Sequence, residues 1–145
     1  MAVYNSNLTS DLARLRTVLN DELPVPVTTA RNVSSTFTTS SATPVPLLTS
    51  TLNGVMPDEA ILIIASGIIS ASSPGDSVKV GIYINGASVH DGFYKANNDY
   101  IALEYIGQNL SGNVTVGFYF SREAGSGTFS AKIVSLSTLR FKRRN

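Results

Sequence analysis

The stretch Val78 to Val89, Val-Lys-Val-Gly-Ile-Tyr-Ile-Asn-Gly-Ala-Ser-Val, constrains the fold more than any other part of the chain. Val78, Val80, Ile82 and Ile84 recur at every second residue, so a pleated strand carries them on one face and Lys79 and Tyr83 on the other. Asn85-Gly86 follows at once. That pair suits a two-residue type I′ turn, whose central positions both need positive φ. Two strands alone are marginal in water, so the neighbouring segments must supply more sheet.

They do so by the same pattern. Ile101, Leu103 and Tyr105 alternate with Ala102 and Glu104, and Val114, Val116, Phe118 and Phe120 alternate with Thr115, Gly117 and Tyr119. Val45 to Leu52 and Phe129 to Phe141 read as further strands, and Ser34 to Ser41, rich in Ser and Thr around Phe37, suits an edge strand. Ala60 to Ser70 is nearly continuous in Ile and Leu and reads as a central strand covered on both faces, with Gly67 marking a bulge or a close backbone approach. Gly92 to Asp99 reads as a polar loop. About eight or nine short strands without helical period after Glu22 predict an all-β, antiparallel β-sandwich or barrel.

The first 33 residues differ. Leu8, Leu12, Leu15 and Leu19 are spaced as an a/d seam, and Pro24 and Pro26 stop any continuation, which predicts a short helix over roughly Leu8 to Glu22. Such a helix is marginal alone, so the segment packs on its own domain, meets other copies of its seam, or serves as a flexible arm. Leu23 to Val33, with Pro24-Val25-Pro26, reads as an extended linker, and Pro44-Val45-Pro46 echoes it. The expected organisation is a helix and Pro-containing arm over 1–33 and a sandwich with a basic tail over 34–145.

A chain of 145 residues suits one core, and the absence of cysteine excludes disulfides and thiolate chemistry. Charged residues are 14%, against about 25% in typical soluble domains, and net charge is +1. That balance argues against capture of nucleic acid or an acidic membrane by the whole domain. The longest apolar run, Ala60 to Ala65, is too short to span a bilayer, and the start lacks the pattern of a secretory signal. Positive charge gathers at the end, in Arg140, Lys142, Arg143 and Arg144, which makes the tail a candidate contact for an acidic protein surface.

Little here points to catalysis. His90 stands beside Asp91 with no nucleophile signature, the acids are scattered, and no cluster has the spacing of a metal site. Asn97-Asn98-Asp99 lacks the pattern of a calcium loop and reads as a turn. Phe93, Tyr94 and Tyr100 flank those amides and form a candidate aromatic surface for a sugar ring, or else anchor the loop.

Together, Ser34-Ser35-Thr36-Phe37-Thr38-Thr39, the apolar strand ending Ala65-Ser66-Gly67, the Val78 to Ile84 strand with Asn85-Gly86, and the aromatic strand Val114 to Phe120 resemble the jelly-roll or TNF-like sandwiches of tailed-phage virion proteins. These include head decoration proteins, head fibres and fibre tips. The resemblance covers roughly Ser34 to Arg140. It implies a non-enzymatic capsid decoration or cement protein without cofactor. By the same resemblance the chain is made in the host cytoplasm, is trimeric, and sits on the capsid against the major capsid protein or another virion protein. The Leu8, Leu12, Leu15 and Leu19 seam then fits a three-helix contact and the basic tail a capsid contact. The alternative within the resemblance is a fibre-tip or lectin-like module that binds glycan through Phe93, Tyr94 and Tyr100.

Overall fold

The computed structural model describes residues 25–32 and 36–142. Among these residues nine strands make two antiparallel sheets. They are β1 (Val25–Asn32), β2 (Phe37–Thr39), β3 (Val45–Val55), β4 (Glu59–Ala71), β5 (Ser77–Ile84), β6 (Ala87–Lys95), β7 (Asn97–Gln108), β8 (Gly112–Ala124) and β9 (Phe129–Lys142). One sheet runs β1-β9-β4-β7, with β2 also on β9, and the other runs β3-β8-β5-β6. β1 pairs with the Val134–Arg140 part of β9 and β2 with Phe129–Ala131, so the two form one interrupted edge strand. From β2 onward every connection except the β5–β6 hairpin crosses between the sheets. Eight strands so connected make a jelly-roll sandwich.

The expected helix lies outside the described residues. The expected linker is corrected in part, because Val25–Asn32 is a strand paired along β9, and the sheet therefore begins upstream of Ser34. Proline had argued for an open connector, but an edge strand tolerates it where no ladder donor is needed or where a bulge follows. Both conditions hold, since the register slips immediately after Pro26 in β1 and immediately after Pro46 in β3, the edge of the other sheet. The echo between the two Pro-Val-Pro segments thus marks the starts of two bulged edge strands.

The opening strand behaves as its alternation dictates. Val78, Val80 and Ile82 are fully buried, and Asn85 (φ 50) and Gly86 (φ 82) take the left-handed pair that a type I′ turn requires. The turn is also tied to its neighbour: Asn85 N–H donates to Thr115 O at 2.8 Å, and Thr115 N–H donates to Asn85 Oδ1 at 2.9 Å. The inward rows of β5 and β8 meet those of β4 and β9 in one core that includes Phe118, Phe120, Phe129, Ile61, Ile63 and Leu136.

Gly92 to Asp99 is not a loop. β6 continues to Lys95 and β7 begins at Asn97, so Ala96 alone carries the chain from one sheet to the other. Ala96 is buried, its N–H donates to Asp76 O at 3.2 Å, and its carbonyl accepts from Ala71 N–H at 2.9 Å. Opposite Gly67 the β4–β9 register slips, and Ile133 on the bulge takes φ 54. That conformation costs a β-branched residue about 1–3 kcal/mol.

Because neither sheet has an inner face that water could cover cheaply, a charge placed in the core is expected to undo the whole domain. Ile82→Asp should abolish the cooperative thermal transition seen by circular dichroism, since an unpaired buried carboxylate costs several kcal/mol, comparable with total stability.

Candidate functional site

With the inner faces sealed, function falls to the two outer faces, the strand ends and the edges. β4 sits between β9 and β7, and its inner residues Ile61, Ile63, Ala65 and Ile69 are buried. Its outward residues include Leu62, Ile64 and Ile68 beside Ser66 and Ser70: Leu62 and Ile68 are half-buried and Ile64 is 39% exposed. The register sets Leu62 between Leu139 of β9 and Ile106 of β7, and Ile106 is 50% exposed. Leu139, Leu62, Ile106 and Ile64 therefore form one apolar patch, where the sequence had indicated a strand covered on both sides. Glu104 opposes Ile64 within it.

The outer face of the second sheet is built differently. On β5 and β8, Gly81 opposes Tyr119 and Tyr83 opposes Gly117. Each tyrosine leans back over the glycine two residues earlier in its own strand, and the two rings come within 4.4 Å, centroid to centroid, at 34°. A methyl group on Gly117 would lie 2.4 Å from Tyr119 Cε2, and one on Gly81 would lie 2.5 Å from Asp91 Oδ1. The repeated Gly-x-Tyr unit at Gly81, Gly92 and Gly117 is the signal that sequence reasoning passed over; in each case the ring occupies the space the glycine leaves. The result is a stacked ridge that shields the outer side of the sheet's central pair.

Beside the ridge, Lys79 Nζ lies 3.0 Å from Asp91 Oδ2 and 5.7 Å from the centre of the Phe93 ring. The hydrogen bond from Lys79 to Asp91 holds the lysine pKa above its usual value, against partial burial. For Asp91, burial pushes upward, but hydrogen bonds from Ser88 and Lys79 outweigh it and hold the carboxyl below its usual value.

The residues proposed from sequence are dispersed. Phe93 is 60% exposed on the outer face of the β3-β8-β5-β6 sheet, while the next residue, Tyr94, turns the opposite way and packs partly against the core over Gly92. Tyr100, 67% exposed, lies on β7 in the other sheet, paired with Ile68. Strand alternation and the sheet crossing at Ala96 thus separate the three aromatics. His90 is an exposed residue of β6. Among the described residues no group of three or more His, Asp or Glu side chains is arranged to hold a metal ion.

Arg140 is engaged within the fold. Its guanidinium donates to Asn53 O at 3.0 Å and Gly54 O at 2.8 Å, and it pairs with Glu59, closing the β3–β4 turn onto β9. Glu59 also accepts from Met56 N–H at 2.7 Å. Burial raises the Glu59 pKa, but the hydrogen bonds from Arg140 and Met56 and the nearby positive charges of Arg140 and Lys142 bring it below its usual value. Lys142 is exposed at the end of β9, and Arg143 and Arg144 lie outside the described residues, as do Leu8, Leu12, Leu15 and Leu19.

No protein-family model matches the chain, and no curated protein matches it. Solved structures share its fold. The VP2 subviral particle of infectious bursal disease virus superposes with TM-score 0.55 at 13% identity, over 82% of this chain and 33% of that one. The dimeric latent PorU of Porphyromonas gingivalis gives 0.51 at 8% identity, over 86% of this chain and 13% of that one. The sugar-binding C-terminal domain of EclA superposes more loosely, with TM-score 0.45 at 14% identity, over 79% of this chain and 80% of that domain. This chain thus spans about a third of the VP2 chain it resembles.

Two consequences are measurable. Gly117→Ala forces Tyr119 off its seat and should lower stability by about 1–3 kcal/mol, with a changed tyrosine signal in near-ultraviolet circular dichroism. Because the pKa values of Glu59 and Asp91 are lowered in the fold, their contributions are present above the usual carboxylate range and lost as pH falls through the folded values. The melting temperature should therefore drop on acidification. Glu59→Gln should cost about 1–3 kcal/mol at neutral pH and flatten part of that acid slope.

Proposed function

We propose that the chain is a non-enzymatic structural protein of a virus particle, a capsid decoration or cement protein that binds the outside of the shell. The observation that supports this reading best is the jelly-roll sandwich, which superposes over 82% of the chain on the VP2 subviral particle of infectious bursal disease virus. The stacked tyrosine ridge and the low charge suit a module that works by surface contact.

In this reading the partner is the major capsid protein or another virion protein, and the basic end makes the contact. Arg140 is committed to the β3–β4 turn, so the charges that reach a partner are Lys142, Arg143 and Arg144. Such contacts are individually weak and screened by salt, and many copies on a symmetric lattice reinforce them through effective concentration. A trimer of copies belongs to the same reading.

A glycan-binding fibre tip is the second reading. What favours it is Phe93, exposed beside the Lys79–Asp91 pair. On a glycan array, binding that is lost in Phe93→Ala would support it over the cement reading.

The test is co-sedimentation with purified capsids of the virus that encodes the chain, together with mass in solution. Saturable binding, a higher melting temperature of the particles, and several-fold weaker binding when Lys142, Arg143 and Arg144 are changed to Glu are expected. Absence of sedimentation, with particle stability unchanged, would contradict the proposal.

A further inference from the structure

The outside of the β1-β9-β4-β7 sheet carries an apolar patch at the end where β1 begins. We propose that residues 8–22 cross that face as an amphipathic helix, with Leu8, Leu12, Leu15 and Leu19 turned onto Leu139, Leu62, Ile64 and Ile106. This inference is independent of the virion reading.

Four observations support it. The first is position: Val25, where β1 begins, pairs with Arg140, which pairs with Ile61. One residue further along lies the row Pro26, Leu139, Leu62 and Ile106, so the chain enters the sheet at the end where the patch lies. The second is reach. A helix over 8–22 is about 22 Å long at about 1.5 Å per residue. The row from β1 to β7 is three inter-strand steps, or about 14 Å, wide. Leu23 and Pro24 suffice to turn the chain.

The third observation is pattern. The leucines repeat at four, three and four residues, which gives a single stripe one helix face wide, and the patch is likewise a single stripe across β9, β4 and β7. The fourth is charge. Glu104 opposes Ile64 and borders a groove of about 400 Å³ beside Leu62, Tyr105 and Ile106. On such a helix Arg16 flanks the seam and supplies one complementary charge, with acidic Asp11 on the other flank. Docking removes Ile64 and Ile106 from water and gives a marginal helix the surface it needs. In this arrangement the leucine seam serves its own domain, and copies that assemble do so through other surfaces.

The chain has no cysteine, so introduced pairs can be read without background. In the full-length protein, Leu15→Cys with Ile64→Cys is oxidised at low protein concentration, and Leu15→Cys with Thr115→Cys, whose second position is exposed on the other sheet, is the control. A link within one chain is expected for the first pair and none for the second. A link between two chains would overturn the proposal in favour of a second copy's segment, and equal linking of both pairs or of neither would overturn it outright. A second measurement leaves the sheet untouched: changing Leu8, Leu12, Leu15 and Leu19 to Ser should shift the methyl resonances of Ile64 and Ile106 and leave those of buried Ile82 in place. Unchanged Ile64 and Ile106 signals would contradict the docking. Neither result depends on whether the protein binds a capsid.

Discussion

Phe118 and Phe120 of β8 are sealed from water in the same core as Ile61 and Ile63 of β4, and neither sheet can keep its inner face dry without the other. Burying one such side chain contributes about 1.5–3 kcal/mol, while ordering each residue costs about 1–2 kcal/mol of backbone entropy. Stability therefore comes from joint closure of the two sheets. The devices at the margins serve that closure: Asn85 ties the β5–β6 turn to β8, Ala96 carries the chain between sheets in a single residue, and Arg140 with Glu59 fastens the β3–β4 turn to β9.

Closure on the inside leaves two outer faces that solve the problem of water differently. The β3-β8-β5-β6 sheet covers its centre with its own side chains, by letting Tyr83 and Tyr119 lie over glycines and against each other. The β1-β9-β4-β7 sheet makes no such provision: Leu62, Leu139, Ile64 and Ile106 stand on its outer surface, at the end of the sheet where β1 begins. A surface that is apolar and contiguous signals an interaction, whereas scattered exposed apolar residues need no explanation. The two outer faces thus differ in kind: one carries its own aromatic cover and the other an exposed apolar row.

Much of this architecture was legible in the residues. Period-two alternation identified β5, β7 and β8, Asn85-Gly86 identified the hairpin, and Gly67 marked the place where the β4–β9 register slips. The failures have physical causes. Pro24 and Pro26 read as a connector because proline removes a ladder donor, but β1 is an edge strand and its bulge follows Pro26 directly. Gly92 to Asp99 read as a loop because β6 is also an edge, where Gly92 and exposed Phe93 and Lys95 carry no burial pattern. The run from Ile61 to Ile64 read as buried on both sides because composition alone does not say whether a second apolar face is met by another sheet, by the chain's own terminus or by a partner. The expected aromatic site failed to assemble for a simpler reason: adjacent residues in a strand face opposite ways, so Phe93 and Tyr94 diverge.

The central claim is that the apolar outer face is covered within the monomer while the opposite face is open. Methyl relaxation of the monomeric full-length protein, measured with a soluble paramagnetic agent, tests it directly. Ile64 and Ile106 should be protected while the methyl group of Thr115, on the other outer face, is strongly broadened. Broadening of Ile64 and Ile106 to the same degree as Thr115 would contradict the account.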